Sequence, residues 1–374
     1  MKYAIVTPTF SGHFWAIEEY LASFDKFVID KENINIYFVI SENEKKSFLK
    51  IVSFYKDRIN INVLVFEDIL KRFSIEDSTN DLLNKYGKFS FQTLKKFYAM
   101  LAIPEEKMLV LDSESIWVSK TNMSNLFYDF FKKPFICFSY LNKRYFLSEF
   151  FYSVCDNVRY ILKNNEDKWF IETFMWFYEK RILKDLFGEF GNPIDLVEKI
   201  YQKKKFNIAG LFEICLYCSF ISKQNIKYGY DFIDVCELLS KNMSDNLCGE
   251  YIDNFMNIFK GESGIFEHAL FLVNDNNYEY IKRIFNLRYF KIIRCDINLR
   301  QFFAKKIIKE SNVKILASSE ASLIKRKKYI YRLKFYKHYN KFLLPFKNLK
   351  KVFSVFNWFV EPFAIVYYYI KSIK

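Results

Sequence analysis

Short apolar runs alternate with stretches of helical periodicity over the first 140 residues. Lys2–Thr7 (KYAIVT), closed by Pro8, predicts a buried strand, and Asn35–Ile40 (NIYFVI), Asn62–Phe66 (NVLVF) and Met108–Leu111 (MLVL) predict three more. Pro134–Phe138 adds a fifth. Between them, Phe14–Val28, Glu44–Tyr55 and Lys88–Ile103 have apolar positions at helical spacing, and Pro104 stops the last of these. Strands alternating with helices predict an α/β layer with a mostly parallel sheet. Ligands of such sheets sit beyond the carboxyl ends of the strands, where both Thr7–Ser11 and Asp112–Glu114 fall. After about residue 145 the pattern turns helical, with Leu147–Lys163, Lys168–Lys184, Ile194–Lys203 and Ala209–Lys223 as expected helices. Tyr289–Cys295 reads as one more strand and Ile297–Glu310 as a helix. The expected organisation is an α/β region at 1–145, a mainly helical region at 146–315 and a basic tail at 316–374.

Composition narrows the class. The chain has 374 residues, 51% of them hydrophobic, enough for a large core and too many for a disordered chain. Nine glycines and six prolines exclude collagen-like and Pro-rich architectures and favour long helices. The net charge of +14 is concentrated: residues 321–374 hold thirteen Lys or Arg and one acid, so +12 of it lies in those residues. The start of the chain reads as a strand and not as a secretory leader, so the seven cysteines are expected as reduced thiols in the cytoplasm. Cys215 and Cys218 form a lone CxxC without the second ligand pair that zinc requires, and read as buried thiols on a helix.

The chemistry begins where the fourth strand ends. Met108-Leu-Val-Leu-Asp112-Ser113-Glu114 delivers two carboxylates separated by one residue. Such a pair can reach one Mg²⁺ or Mn²⁺, which take oxygen ligands and complete their shell with water or substrate phosphate. Alone, the pair also reads as solvated acids at a strand end. In its setting it resembles the DxD motif of GT-A glycosyltransferases, with Glu in place of the second Asp. Phe91-Gln92-Thr-Leu-Lys95-Lys96 resembles the QxxKL helix that precedes the metal motif in several bacterial members. That resemblance implies that Gln92 and Lys95 lie near a donor nucleotide, and that Thr7-Pro8-Thr9-Phe10, at the end of the first strand, lies near its nucleoside. The implied fold is a GT-A-like, Rossmann-like mixed sheet flanked by helices. Asp112, Ser113 and Glu114 would hold the cation and the nucleotide-sugar.

Two acids stand out in the second half. Glu172 lies in an aromatic-rich stretch expected to be helical, and Glu213 lies on an otherwise apolar helix. A buried carboxylate is costly unless paired or given a task, and desolvation raises its pKa toward that of a general base. Phe212-Glu213-x-x-x-Tyr217 resembles the SEYxxYG stretch of one bacterial glycosyltransferase group, which implies that Glu213 is the base for an acceptor hydroxyl and gives an inverting reaction. The alternative is a carboxylate satisfied by a nearby Lys or Tyr. Glu172 is the second acceptor-side candidate. Of the three histidines, His13 follows the first strand near the expected nucleotide site, His338 lies in the tail, and His268 is the one placed for the late metal or diphosphate contact that many GT-A enzymes recruit.

Lys325-Arg326-Lys327-Lys328 opens the tail, and Lys350 and Lys351 continue it. Phe356 and Phe359 recur at helical spacing beside Trp358. Such a basic aromatic helix suits an anionic membrane surface. Asn357, Glu361 and Pro362 argue for lying in the interface rather than spanning it. No RNA-binding module precedes it, so nucleic acid is not the expected partner. The sequence thus reads as a peripheral enzyme on the inner face of the cell membrane. It would transfer a sugar from a nucleotide-diphosphate sugar, UDP-linked by expectation, to a surface-glycan or lipid-linked acceptor with Mn²⁺ or Mg²⁺. The rivals are a nucleotidyltransferase and a non-catalytic assembly protein on a transferase-like fold. The first would show a Gly-rich basic loop after the first strand, and Thr7–Trp15 has only Gly12 and no Lys or Arg.

Overall fold

Parallel strands buried on both faces need near-continuous apolar runs, and the first, second and fourth predicted runs have that character. A computed structural model of the chain describes residues 2–140, 149–203, 210–250, 273–295 and 302–319. The strands are β1 (Tyr3–Pro8), β2 (Ile34–Ile40), β3 (Asn60–Val65), β4 (Lys107–Val110), β5 (Ile116–Trp117), β6 (Phe135–Tyr140), β7 (Lys168–Trp169), β8 (Phe177–Glu179), β9 (Asp231–Asp234), β10 (Ile292–Cys295) and β11 (Ile315–Ser319). The main sheet has the order β3-β2-β1-β4-β8. Its first four strands are parallel, with Tyr3 opposite Ile34, Ala4 opposite Met108 and Asn35 opposite Asn60. Only β8 runs antiparallel, along β4. The chain steps outward from β1 to β3 and then returns to the other side of β1 for β4. The strand order therefore reverses between β1 and β4, the point beyond whose carboxyl ends open α/β sheets place their ligand crevice.

The helices that matter here are α1 (Phe14–Phe27), α2 (Lys45–Val52), α3 (Phe66–Arg72), α4 (Thr79–Ala102), α5 (Met123–Lys132), α6 (Glu149–Leu162), α7 (Lys180–Phe190), α8 (Pro193–Lys203) and α9 (Glu213–Lys223). On α1, Phe14, Ile17, Tyr20, Leu21 and Phe24 are buried at the spacing of one helical face. Each such side chain contributes about 1.5–3 kcal/mol on burial. Tyr20 and Phe24 set their edges against Trp117 with ring centroids 5.0 Å apart. Ser78 caps α4 by accepting from the backbone N–H of Asp81. The helix breaks at Gly87, whose φ of 77° and ψ of 167° place it in a region open to glycine alone. This break accounts for the helical signal that starts at Lys88. Gly87→Ala should cost roughly 1–3 kcal/mol, read as a lower urea midpoint. A Cβ there meets nothing within 4 Å, so the whole cost is backbone strain.

In the second half, where the expected mainly helical region also holds strands at several points, the clearest departure is one segment. Lys168–Lys184 is not a single helix: it forms β7, an irregular stretch, β8 and only then the start of α7. Trp169, Phe170, Phe174, Trp176 and Phe177 are all buried, so the run has no polar face for a surface helix to present. β7 pairs with β6, and β8 completes the main sheet. The main sheet therefore draws on residues from both sides of position 145. Pro134–Phe138 forms a strand as expected, but β6 joins a small β7-β6-β9 sheet, and a third sheet has the order β10-β11-β5.

Gly210 fixes how α9 meets α4. A Cβ at Gly210 would lie 1.9 Å from Ser90 Oγ, so any side chain there forces Ser90 to shift. Held there, the Leu211 carbonyl accepts from Thr93 Oγ1 at 2.5 Å and the Gly210 carbonyl from Asn157 Nδ2 at 2.9 Å. Gly210→Ala should destabilise by about 1–3 kcal/mol. Adding Ser90→Ala, which removes the clashing hydroxyl, should recover part of that loss in thermal melts.

Candidate active site

The carboxylate turn is fixed at both ends. Leu111 N–H donates to the Val6 carbonyl at 3.1 Å, which carries the β1–β4 pairing one residue beyond β4. Ser115 N–H closes the turn onto the Asp112 carbonyl at 3.1 Å, and Ser115 Oγ donates to the Ala317 carbonyl at 2.8 Å. Asp112-Ser113-Glu114 thus stands at the β1/β4 crevice on a rigid base.

Lys96 faces that turn from α4. Its Nζ lies 2.5 Å from Glu213 Oε1 and 3.7 Å from Asp112 Oδ1. The Lys96 and Glu213 side chains are 7% and 1% exposed, whereas Asp112 is 39% exposed. The rings of Trp176 and Phe212 lie 5.2 and 5.7 Å from the ammonium. Burial opposes the Lys96 charge, but Glu213 and Asp112 outweigh it and hold its pKa above the usual lysine value. The second Glu213 oxygen lies 3.2 Å from Thr93 Oγ1. Glu213 is the first residue of α9, not an interior one, and Tyr217 points elsewhere, accepting from the Glu179 backbone N–H at 2.9 Å.

His13 faces the turn from the β1 side. Its Nδ1 lies 2.9 Å from Glu114 Oε1 and 3.4 Å from Ser113 Oγ, and its ring rests 4.5 Å from that of Phe10. The carboxylate pair therefore meets one basic group from each neighbouring segment. His13 is expected near this site from its place after the first strand, whereas Lys96 is a contact that the sequence does not single out. A signal for Lys96 was present: two consecutive lysines on a helix whose other neighbours are apolar.

The remaining candidates lie around this centre. Lys95 is buried, 3.5 Å from Ser41 Oγ, with the Phe91 and Phe66 rings 5.2 and 5.9 Å from its ammonium. Burial pushes its pKa down, against the pull of Glu44 and Glu67. No carboxylate comes within 4.0 Å of it among the described residues. Gln92 is half-buried on the same helix. Thr7 shares a buried hydrogen bond of 3.1 Å with the Tyr20 hydroxyl and belongs to the core. Pro8 is half-buried, and Thr9 Oγ1 is buried without a hydrogen-bond partner among the described residues. Ser11 N–H donates to Glu44 Oε1 at 2.6 Å, joining the ends of β1 and β2. Glu172 is fully buried in an irregular stretch, not on the expected helix, and accepts from Ser139 Oγ at 2.7 Å on the β6 side. His268 and the tail residues Lys325–Lys328, Lys350, Lys351, Phe356, Trp358 and Phe359 lie outside the described residues.

The donor set suits a divalent cation of one kind. Among the described residues no three His, Cys, Asp or Glu side chains converge into an all-protein cage. Magnesium-type sites commonly use one or two carboxylates and take the rest of the shell from water and phosphate. Asp112 and Glu114, part-exposed on a fixed turn, fit that arrangement. No helix among the described residues is long and apolar enough to cross a membrane.

No protein-family model matches the sequence, and no curated protein matches it. Several solved structures overlap it at low identity. Mouse xyloside xylosyltransferase 1 in its apo form matches with a TM-score of 0.40 and 12% identity, over 71% of this chain and 96% of that one. S. aureus TarS gives 0.30 and 14% over 76% of this chain, and the glycosyltransferase GlyE of Streptococcus pneumoniae TIGR4 gives 0.34 and 13% over 69%. The matches span only 48% and 52% of those two proteins. These overlaps are too loose to carry function, which must be argued from the crevice and its residues.

Proposed function

We propose that the chain is a glycosyltransferase that takes a nucleotide-diphosphate sugar, UDP-linked by preference, in the β1/β4 crevice. The observation that carries this reading is the convergence of Asp112, Glu114, His13 and Lys96 at the point where strand order reverses, the standard ligand position of an open α/β sheet. Asp112 and Glu114 would hold Mn²⁺ or Mg²⁺, which when bound supplies charge stabilisation to a departing diphosphate. Lys95, Gln92 and the Thr7–Thr9 segment flank the nucleotide side, with Thr9 and Ser113 offering hydroxyls. Glu172 and Glu213 are the acids proposed toward the acceptor; Glu213 could serve as base, making the reaction inverting, only where acceptor binding opens its contacts with Lys96 and Thr93. The acceptor class we propose is a surface or lipid-linked glycan, with His268 as a further cation contact. We also propose that the basic tail holds the enzyme on an anionic inner membrane face.

The test is release of free nucleotide. Incubation with Mn²⁺ and a panel of UDP-, GDP-, CMP- and TDP-sugars should release the nucleotide from one of them, and Asp112→Asn should stop it. Release of pyrophosphate from a nucleoside triphosphate and a sugar phosphate would instead assign a nucleotidyltransferase. Turnover of neither class would contradict the enzyme reading.

A further inference from the structure

Lys96 is buried between two carboxylates that come from different parts of the chain, and the reading above gives it no task. Its partners are unequal. Glu213 is almost fully buried, and both its oxygens are occupied, one by the ammonium at 2.5 Å and the other by the Thr93 hydroxyl at 3.2 Å. Asp112 is open to the crevice, and only Oδ1 is near the ammonium, at 3.7 Å. Glu213 is the nearer and better-shielded partner of the lysine, and the Asp112 carboxylate faces solvent. The Trp176 and Phe212 rings wall the ammonium on other sides and limit where it can move.

We infer that Lys96 is a positioning residue for Asp112, and that Glu213 acts through it: Glu213 pins the ammonium, the ammonium orients Oδ1, and Oδ2 is left for the cation that accompanies the diphosphate. This rests on the cation-dependent donor site proposed above. It gives Glu213 a role in cation-dependent binding, which a base for the acceptor hydroxyl would not have. The chain of contacts also includes Gly210, whose approach to Ser90 comes just before Glu213 and α9.

The experiment is calorimetric titration with UDP, with and without Mn²⁺, on the intact chain and on Glu213→Gln, Lys96→Arg and the Lys96→Met/Glu213→Gln double variant. The double variant leaves no unpaired buried charge and keeps the test open if single changes fold poorly. In the wild-type chain Mn²⁺ should strengthen UDP binding. Glu213→Gln and the double variant should lose about tenfold or more of that strengthening, a larger fall than in metal-free UDP binding. Lys96→Arg should retain most of it. An unchanged Mn²⁺ effect in both would overturn the inference and leave Glu213 to the acceptor. An equal fall in metal-free binding would overturn it too, as the mark of a merely structural pair. If Mn²⁺ has no effect on the wild-type chain, the proposed cation site fails, and the inference falls with it.

Discussion

Lys96→Met should destabilise the fold by about 3–5 kcal/mol, the usual cost of removing one partner of a buried ion pair. The loss follows from the exposure of the two groups. Glu213 is 1% exposed and 2.5 Å from the ammonium, so without Lys96 it keeps, among the described residues, the Thr93 hydroxyl as its side-chain partner. A buried carboxylate left in that state must either protonate or draw in water, and both cost free energy. Urea unfolding reads the effect directly. The double variant Lys96→Met/Glu213→Gln should lose far less than the single one, because no charge remains to be compensated. Glu213→Gln alone should be milder than Lys96→Met, since the lysine keeps Asp112 as a partner at 3.7 Å. A Lys96→Met variant as stable as the wild-type chain would mean that the pair is not formed in the folded protein.

Asp112→Asn should behave in the opposite way, with little change in stability and a large change in binding. Its carboxylate is 39% exposed, and its contact with Lys96 is long, so the folded state leans on it weakly. The amide keeps the shape but removes the charge that a divalent cation requires. The expected loss in Mn²⁺-dependent nucleotide affinity is about a hundredfold or more, roughly 2.8 kcal/mol at 1.4 kcal/mol per tenfold. Melting temperature supplies the control. Mn²⁺ with UDP should raise it in the wild-type chain, because a ligand bound only by the folded state stabilises that state, and should leave the variant unmoved.

The two halves of the molecule were not equally legible from sequence. β1, β2 and β4 announce themselves because strands buried on both faces must be apolar throughout, and Ile5, Ile36 and Leu109 show the result. The carboxylate turn was legible because polar residues directly after such a strand fall at the ligand end of the sheet. The 168–184 segment misled because helical spacing and total burial look alike in a run this aromatic. What decides it is pairing with β4 and β6, which are distant in sequence. Lys96 was hidden for a related reason. The resemblance to a known helix motif drew attention to Lys95, and nothing local shows which of two adjacent lysines faces the sheet end. The partner that marks Lys96 is Glu213, more than a hundred residues later, on α9, which follows the Gly210 approach to Ser90. The small β10-β11-β5 sheet likewise depends on a two-residue strand, too short to leave a pattern.

The proposed donor site between the ends of β1 and β4 would bind a nucleoside diphosphate together with a divalent cation. The most direct test is calorimetric titration of the intact protein with UDP in the presence and absence of Mn²⁺, alongside Asp112→Asn. Saturable binding that depends on Mn²⁺ and is lost in the variant is the expected result. Equal binding by the wild-type chain and the variant, or no binding of UDP, GDP, CMP or TDP under either condition, would contradict it.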